Sequence, residues 1–312
     1  MKIHVFYHHD TDGILSALIY KDYLNTQEHI EATFTKLDYA DKDYKKKLDL
    51  AVRSNVNLIV FLDICPDAKS LASMQEYIGA KFLNTIISIL DHHYARVQQA
   101  YGVQDPAITN ISLFKSAACL GVYKHFNPDV EVPRIIKALA AYDIHDFSEI
   151  SKIESVIYEL GFEKKCISPD NTSLSILLSR DTELYEAGNL TYFEIREVLL
   201  KTIERTGEIL TIDGNKYLMI NSDLGELSKF DIDKEVSESL SGYIYFYFKP
   251  ELQSFKFSIR SLNEDIPILP IAEYWGGGGH PMACGFTLTI SEFQEFLDMY
   301  STNDSQGVPS GV

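Results

Sequence analysis

Three apolar runs rich in β-forming residues, at 3–7 (IHVFY), 56–62 (VNLIVFL) and 86–90 (IISIL), end at or shortly before an aspartate. Helical spacing of apolar residues follows the first run at 13–23, and a helix is expected at 68–79 between the other two. Short apolar strands alternating with helices need cover on both faces, so the pattern predicts a parallel sheet flanked by helices. Further helices are expected at 116–126 and 134–142, with Pro133 suited to the first position of the second.

The pattern changes after residue 150. A mainly helical stretch leads to a long helix expected at 191–209. Beyond the Asp213-Gly214-Asn215 turn, residues 217–220, 241–248 and 255–259 read as strands. The expected organisation is an α/β chain in four parts. An N-terminal catalytic domain with a helical extension takes 1–189 and a helical connector 190–205. A smaller α/β domain takes 206–300, and 301–312 is a mobile tail.

Composition narrows the function. A chain of 312 residues, 46% apolar, can fill a core in each of two domains. Its net charge of −17 argues against a surface that follows a long phosphate backbone, although a local cationic site for a small anion is compatible with it. Cys65, Cys119, Cys166 and Cys284 are widely separated and form no C-x-x-C pair, so neither a zinc ribbon nor a disulfide framework is suggested. The N-terminal apolar stretch is too short for a secretion signal, and no run is long enough to span a bilayer. A reduced cytoplasmic setting is expected, with no membrane partner.

The carboxylates carry the chemistry. Asp10 and Asp12 follow the first strand, Asp63 the second, and Asp91, His92 and His93 the third. In an open parallel sheet the carboxyl ends of the strands line the ligand crevice, so these side chains should converge. Asp143, in AAYDIHD, can close the cluster from the side. Each residue has a plainer reading when taken alone. Asp12 could cap the helix that starts near Gly13, a lone histidine is more often structural than a ligand, and aspartate is common at helix ends. Four or more carboxylates at one sheet edge, however, repel strongly unless a cation neutralises them. Oxygen and imidazole donors without thiolate favour Mn²⁺ or Mg²⁺, while Zn²⁺ and Fe²⁺ accept the same ligands. There are enough donors for two ions, the arrangement that hydrolyses phosphoesters and phosphoanhydrides.

The triplet Asp91-His92-His93, with HHDTDG at 8–13, FLDICPD around Asp63 and AAYDIHD around Asp143, resembles the DHH phosphoesterase superfamily over residues 4–146. The resemblance implies one metal held by His8, Asp10 and Asp63, and a second by Asp12, Asp63, His92 and Asp143, with Asp63 bridging. It also implies that Asp91 orients a neighbouring histidine and that His93 contacts the scissile phosphate. Many relatives carry the leading histidine where this chain has Phe6. His8 is preferred here because alternate residues of an extended chain face the same way, with His9 as the alternative.

Near the C-terminus, WGGGGHPMACGF resembles the DHHA1 domain that follows the DHH domain in many relatives. A bare glycine run is most simply a hinge or turn. In this context Gly276, Gly277, Gly278 and Gly279 are expected to form a loop that cradles an anion, beside His280. Arg260, on the polar face of FKFSIRS, is expected to hold a phosphate, its plainer reading being a solvated arginine. The aromatic run at 243–248 is more simply sheet core, and Lys45 to Lys47 among aspartates a solvated face. The compact DHH–DHHA1 arrangement is similar to the bacterial nanoRNases. It implies an Mn²⁺-dependent phosphodiesterase acting as an exonuclease (oligoribonuclease) in RNA degradation, on short RNA or linear dinucleotides. Cyclic dinucleotides and 3′,5′-bisphosphorylated nucleotides are alternative substrates. A noncatalytic nucleic-acid-binding module is the alternative of another class, and a homodimer is compatible with the sequence.

Overall fold

The computed structural model describes residues 1–81, 83–222, 230, 239–263 and 265–300. The tail expected at 301–312 lies outside the described residues. The chain divides into two compact units, Met1–Thr191 and Tyr192–Val312.

The first unit is built on five parallel strands, β1 (Lys2–His8), β2 (Glu31–Leu37), β3 (Leu58–Leu62), β4 (Ile86–Asp91) and β5 (Thr109–Leu113), in the order β2-β1-β3-β4-β5. Between them run α1 (Thr11–Asn25), α2 (Tyr44–Arg53), α3 (Ala68–Ala80) and α4 (Tyr94–Tyr101). After β5 come α5 (Ala118–Phe126), α6 (Arg134–Ile144), α7 (Lys152–Lys164) and α8 (Leu174–Ser179). Alternation along β3 explains the layers. Val60 and Leu62 pack with α1, α5 and α6, whereas Ile59 and Phe61 pack with α2, α3 and α4. Both faces are therefore covered, as the unbroken apolar runs of β1, β3 and β4 require. The chain order reverses direction between β1 and β3, the place where such sheets open a crevice beyond their carboxyl ends.

The helices at 116–126 and 134–142 are present with shifted bounds. Pro133 is the N-cap of α6, one residue earlier than the position expected for it. The segment expected as a connector, 190–205, lies inside one continuous helix, α9 (Asp181–Thr206). Helices α7 and α9 approach through Gly161 and Gly188. A Cβ on Gly188 would fall 1.8 Å from the Ile157 carbonyl oxygen, so only glycine permits this contact.

The second unit is a mixed sheet of six strands in the order β10-β11-β9-β8-β7-β6. They are β6 (Glu208–Ile212), β7 (Asn215–Asn221), β8 (Gly242–Lys249), β9 (Ser254–Ser261), β10 (Gly278–His280) and β11 (Ala283–Thr289). Asp213 and Gly214, both at positive φ, make the two-residue turn joining β6 to β7. Only β7 and β8 pair in parallel among the described strands of this sheet. One sheet face carries the core, where Ile244, Phe246, Phe257 and Ile259 pack with helices α10 (Leu269–Tyr274) and α11 (Ile290–Tyr300). The aromatic run at 243–248 is thus largely buried in the sheet. Among the described residues, no helix is long and apolar enough to cross a membrane.

Candidate metal centre

Strand β1 ends at His8, and α1 begins three residues later. Gly13 makes this abrupt turn possible, since a Cβ there would lie 2.3 Å from the His8 carbonyl oxygen. Asp10 is the N-cap of α1, and its Oδ1 accepts the Gly13 N–H at 2.9 Å. The capping role that a local reading gives to Asp12 therefore belongs to Asp10. Asp12 is buried and points elsewhere. Its Oδ2 accepts the Ala118 N–H at 2.7 Å and its Oδ1 the Cys119 N–H at 2.8 Å, both at the N-terminus of α5. Those amides fix the carboxylate and complement its charge.

At the end of β3, Asp63 adopts a left-handed backbone (φ 58°) while its N–H donates to the Leu90 carbonyl at 3.0 Å. This turn lifts the carboxylate out of the strand's alternation and places it 1% exposed at the centre of the cluster. Its Oδ2 is 3.6 Å from His8 Nδ1, and its Oδ1 is 3.2 Å from His92 Nε2. His8 Nδ1 is also 2.5 Å from Asp10 Oδ2. His92 Nε2 lies 3.7 Å from Asp12 Oδ2 and 3.5 Å from Asp143 Oδ2. Asp143 comes from the last turn of α6, which extends past Tyr142 to Ile144.

Donor atoms of His8, Asp10 and Asp63 lie within 4.8 Å of one another, as do those of Asp12, His92 and Asp143, and those of Asp63, Asp91, His92 and His93. Asp63 faces the first two groups with different oxygens. All six residues expected as metal ligands are therefore brought together, and His8 is the histidine that joins them. His9 is exposed and, with Asp10 and Thr11, lines a cavity against α7. Asp91 is fully buried, and its Oδ1 accepts the His92 N–H at 2.7 Å, the His93 N–H at 3.2 Å and the His93 ring Nδ1–H at 2.8 Å.

The electrostatics of this cluster call for a cation. Both Asp63 oxygens, Asp143 Oδ2 and Asp91 Oδ2 are buried without a hydrogen-bond donor. Burial pushes the Asp63 carboxyl up to about 8, with His8 pulling it down and Asp10 and Asp91 pushing it further up. Burial also raises Asp12, helped by the charges of Asp63 and Asp143, and it raises Asp143 against the pull of His92. The carboxylates of Asp10 and then Asp63 hold His8 at about 10, and Asp91 holds His93 at about 9. Protons here substitute for positive charge that divalent ions would supply. The donor set is oxygen and imidazole, which suits Mn²⁺ or Mg²⁺. The Cys119 thiol, raised by burial and then by Asp12, stays protonated and is not part of this set.

Two neighbours had no signal in the sequence. Asp38 follows β2 and its Oδ2 lies 3.8 Å from His8 Nε2. The Arg96 guanidinium sits 4.5 Å from the Tyr39 ring centre, and that ring is 6.2 Å from His8.

In the second unit, the expected phosphate contacts fall into register. Arg260 on β9 pairs with Ala283 on β11, which pairs with His280 on β10. Directly opposed residues share a face, so Arg260 and His280 flank the small Ala283 on the side away from the core. The glycine run differs from the loop expected. Gly278, Gly279 and His280 form an edge strand, and the glycines have separate reasons. Gly276 turns the chain at φ 73°, while Cβ atoms on Gly277 and Gly279 would lie 2.1 and 2.6 Å from carbonyl oxygens of β11.

No family model matches the chain, and no curated protein matches it in sequence. Solved structures do. PggH, a pGpG-specific phosphodiesterase from Vibrio cholerae, matches over 96% of this chain and 97% of its own, at 14% identity and a TM-score of 0.55. At that identity the likeness shows a shared fold. RecJ from Thermus thermophilus, solved in complex with Mn²⁺, is similar over 95% of this chain but 51% of its own (12% identity, TM-score 0.46). An exopolyphosphatase-related protein from Bacteroides fragilis is similar over 96% of this chain and 90% of its own (19% identity, TM-score 0.42). The triplet Asp91-His92-His93 of this chain thus lies at the carboxyl end of β4 in a fold shared with PggH.

Proposed function

We propose that this chain is a metal-dependent phosphodiesterase that hydrolyses short oligoribonucleotides or linear dinucleotides to mononucleotides. The observation that carries the reading is Asp63. One buried carboxylate without a hydrogen-bond donor faces a His–Asp pair with one oxygen and an Asp–His–Asp group with the other. His8, Asp10 and Asp63 would hold one divalent ion, and Asp12, Asp63, His92 and Asp143 a second. Bound ions of this kind supply a hydroxide nucleophile near neutral pH and neutralise charge on the phosphoryl oxygens.

The protein's own groups do the remaining work. The α5 amides and Asp91 hold Asp12 and His93 in place. With Nδ1–H engaged by Asp91, His93 presents Nε2–H as a donor toward the phosphate or its leaving oxygen. Arg260 and His280, with the amides of Gly276 to Gly279, are proposed as contacts to a further phosphate of the substrate. The choice of short linear substrates is supported by the net charge of −17 and by the likeness to PggH, whose named substrate joins two nucleotides.

The test is hydrolysis of 5′-labelled RNAs from dinucleotide to about 24 nucleotides, a range chosen to resolve a cleft-limited substrate length. Cyclic dinucleotides and a 3′,5′-bisphosphonucleotide run alongside, each with Mn²⁺ or chelator. Mn²⁺-dependent loss of the shortest linear RNAs is expected. Activity restricted to a cyclic or bisphosphorylated substrate overturns the substrate assignment, and inactivity on all of them favours a binding module.

A further inference from the structure

A second concave feature of the first unit contains none of the metal-cluster residues. Between α5 and α6 lies a cavity of about 610 Å³ whose apolar lining includes Phe114, Leu120, Ala140, Ala141 and Ile144. Its shape depends on Gly121, where a Cβ would lie 2.3 Å from the Phe114 ring. The ring therefore rests directly on α5 and forms part of the wall.

Three lysines from three places in the chain line this cavity. Lys115 follows β5, Lys124 ends α5 beside His125, and Lys137 lies early in α6. The chain carries 45 acidic against 28 basic side chains, and some of its lysines sit against carboxylates, as Lys47 does with Asp41 and Lys165 with Glu183. Among the described residues, Lys115, Lys124 and Lys137 have no carboxylate within 4.0 Å. The helix dipole accounts for Lys124 and His125, which sit in the last turn of α5. It does not account for Lys115 or Lys137, which lie near the positive ends of α5 and α6. Cations gathered against the dipole, unpaired, over an apolar wall, point to an anion that brings an apolar body with it.

We propose that this cavity binds a nucleoside monophosphate, with the phosphate held by Lys115, Lys124 and Lys137 and the base against Phe114 and Leu120. The volume suits a ligand of that size, since small-molecule pockets span roughly 300–1,000 Å³. Asp146 and Glu149 also line the cavity and offer acceptors for base or ribose donors. Inorganic phosphate would leave the apolar wall unused. Binding at this site needs no metal, so it stands or falls apart from the catalytic reading.

The experiment titrates AMP into the full-length protein in EDTA and low salt, by calorimetry, with adenosine and inorganic phosphate as partial ligands. Variants are the double substitution Lys124→Gln/Lys137→Gln and, as a control for loss of two positive charges elsewhere on the first unit, Lys45→Gln/Lys69→Gln, which line a different cavity. Loss of charge-assisted contacts should weaken AMP in the first double variant by about tenfold or more, while the control stays within about twofold. Adenosine and inorganic phosphate should each bind at least about tenfold more weakly than AMP. On the unaltered protein, AMP should protect Lys115, Lys124 and Lys137 from acetic anhydride while Lys81 remains reactive, a readout independent of the folding of any variant. Unchanged affinity in the first double variant, equal binding of adenosine, absence of protection, or no AMP binding at millimolar concentration would each overturn the proposal.

Discussion

Replacing Asp63 by asparagine separates the cost of the metal cluster from its use. Asparagine keeps the shape of the side chain and tolerates the left-handed backbone at φ 58°, so the turn after β3 is spared. In metal-free protein at pH 7 the carboxyl is held at about 8 instead of 3.8, an interval from 3.8 to pH 7 worth about 4 kcal/mol against the folded state. Replacing the carboxyl oxygen that faces His8 at 3.6 Å also gives up that contact, worth roughly 2 kcal/mol. Asp63→Asn should therefore stabilise the chelated protein by roughly 2 kcal/mol, or about 4–8 °C in melting temperature for a unit of this size. With Mn²⁺ the order should reverse, because only aspartate can serve both donor groups. Turnover should fall by about 10³-fold, the equivalent of about 4 kcal/mol of transition-state stabilisation. Thermal unfolding of both proteins in EDTA and in MnCl₂, beside the RNA assay, reads every term. If Asp63→Asn melted lower in EDTA, or if Mn²⁺ raised both melting temperatures equally, Asp63 would be a structural partner of His8 and the bridging role would fail.

Other consequences are equally direct. Asp63, His8 and His93 all titrate above their ordinary values. Their contribution is present below about pH 4 for Asp63 and below 6.5 for the histidines, and it is lost as pH rises through about 8, 10 and 9. Chelated protein should melt lower at about pH 9 than at about pH 6, with the increment from Mn²⁺ growing over that range; an increment that shrinks would refute the assignment. Asp91→Asn should lower the His93 pKa from about 9 and reduce kcat by roughly 10–100-fold with little change in KM, checked by NMR titration and steady-state kinetics. Arg260→Ala should raise KM for dinucleotides by about tenfold while leaving metal-dependent stabilisation intact. Gly188→Ala, whose Cβ would meet the Ile157 carbonyl, should destabilise the first unit by at least about 2 kcal/mol in chemical denaturation.

The parts of the molecule that could be read from sequence are those where burial imposes a simple pattern. Strands β1, β3 and β4 lie inside the sheet, and their apolar runs announce both the strand and the aspartate at its end. The edge strands were not visible. β2 (EATFTKL) and β5 (TNISL) are half exposed and mix polar with apolar residues, so Asp38 at the end of β2 carried no signal. Nor could sequence choose between Asp10 and Asp12 as the cap of α1. The amides that engage Asp12 come from residues more than a hundred positions away, a contact that only the packing of α5 against α1 creates. Strand β10 escaped for the opposite reason, since glycines have no side chains with which to display an alternation.

That edge strand has a bearing on how sequence variation in this protein should be interpreted. In a saturation screen, positions 277 and 279 would be intolerant whether or not any ligand approaches them, because the backbone of β11 already fills the space a side chain would need. Position 276 would be restricted by its backbone angle. Gly278 alone has ordinary φ and nothing within 4 Å of an added Cβ. Of four adjacent identical letters, it is the one whose substitution phenotype would report on a bound molecule, while its neighbours report on how the sheet is finished.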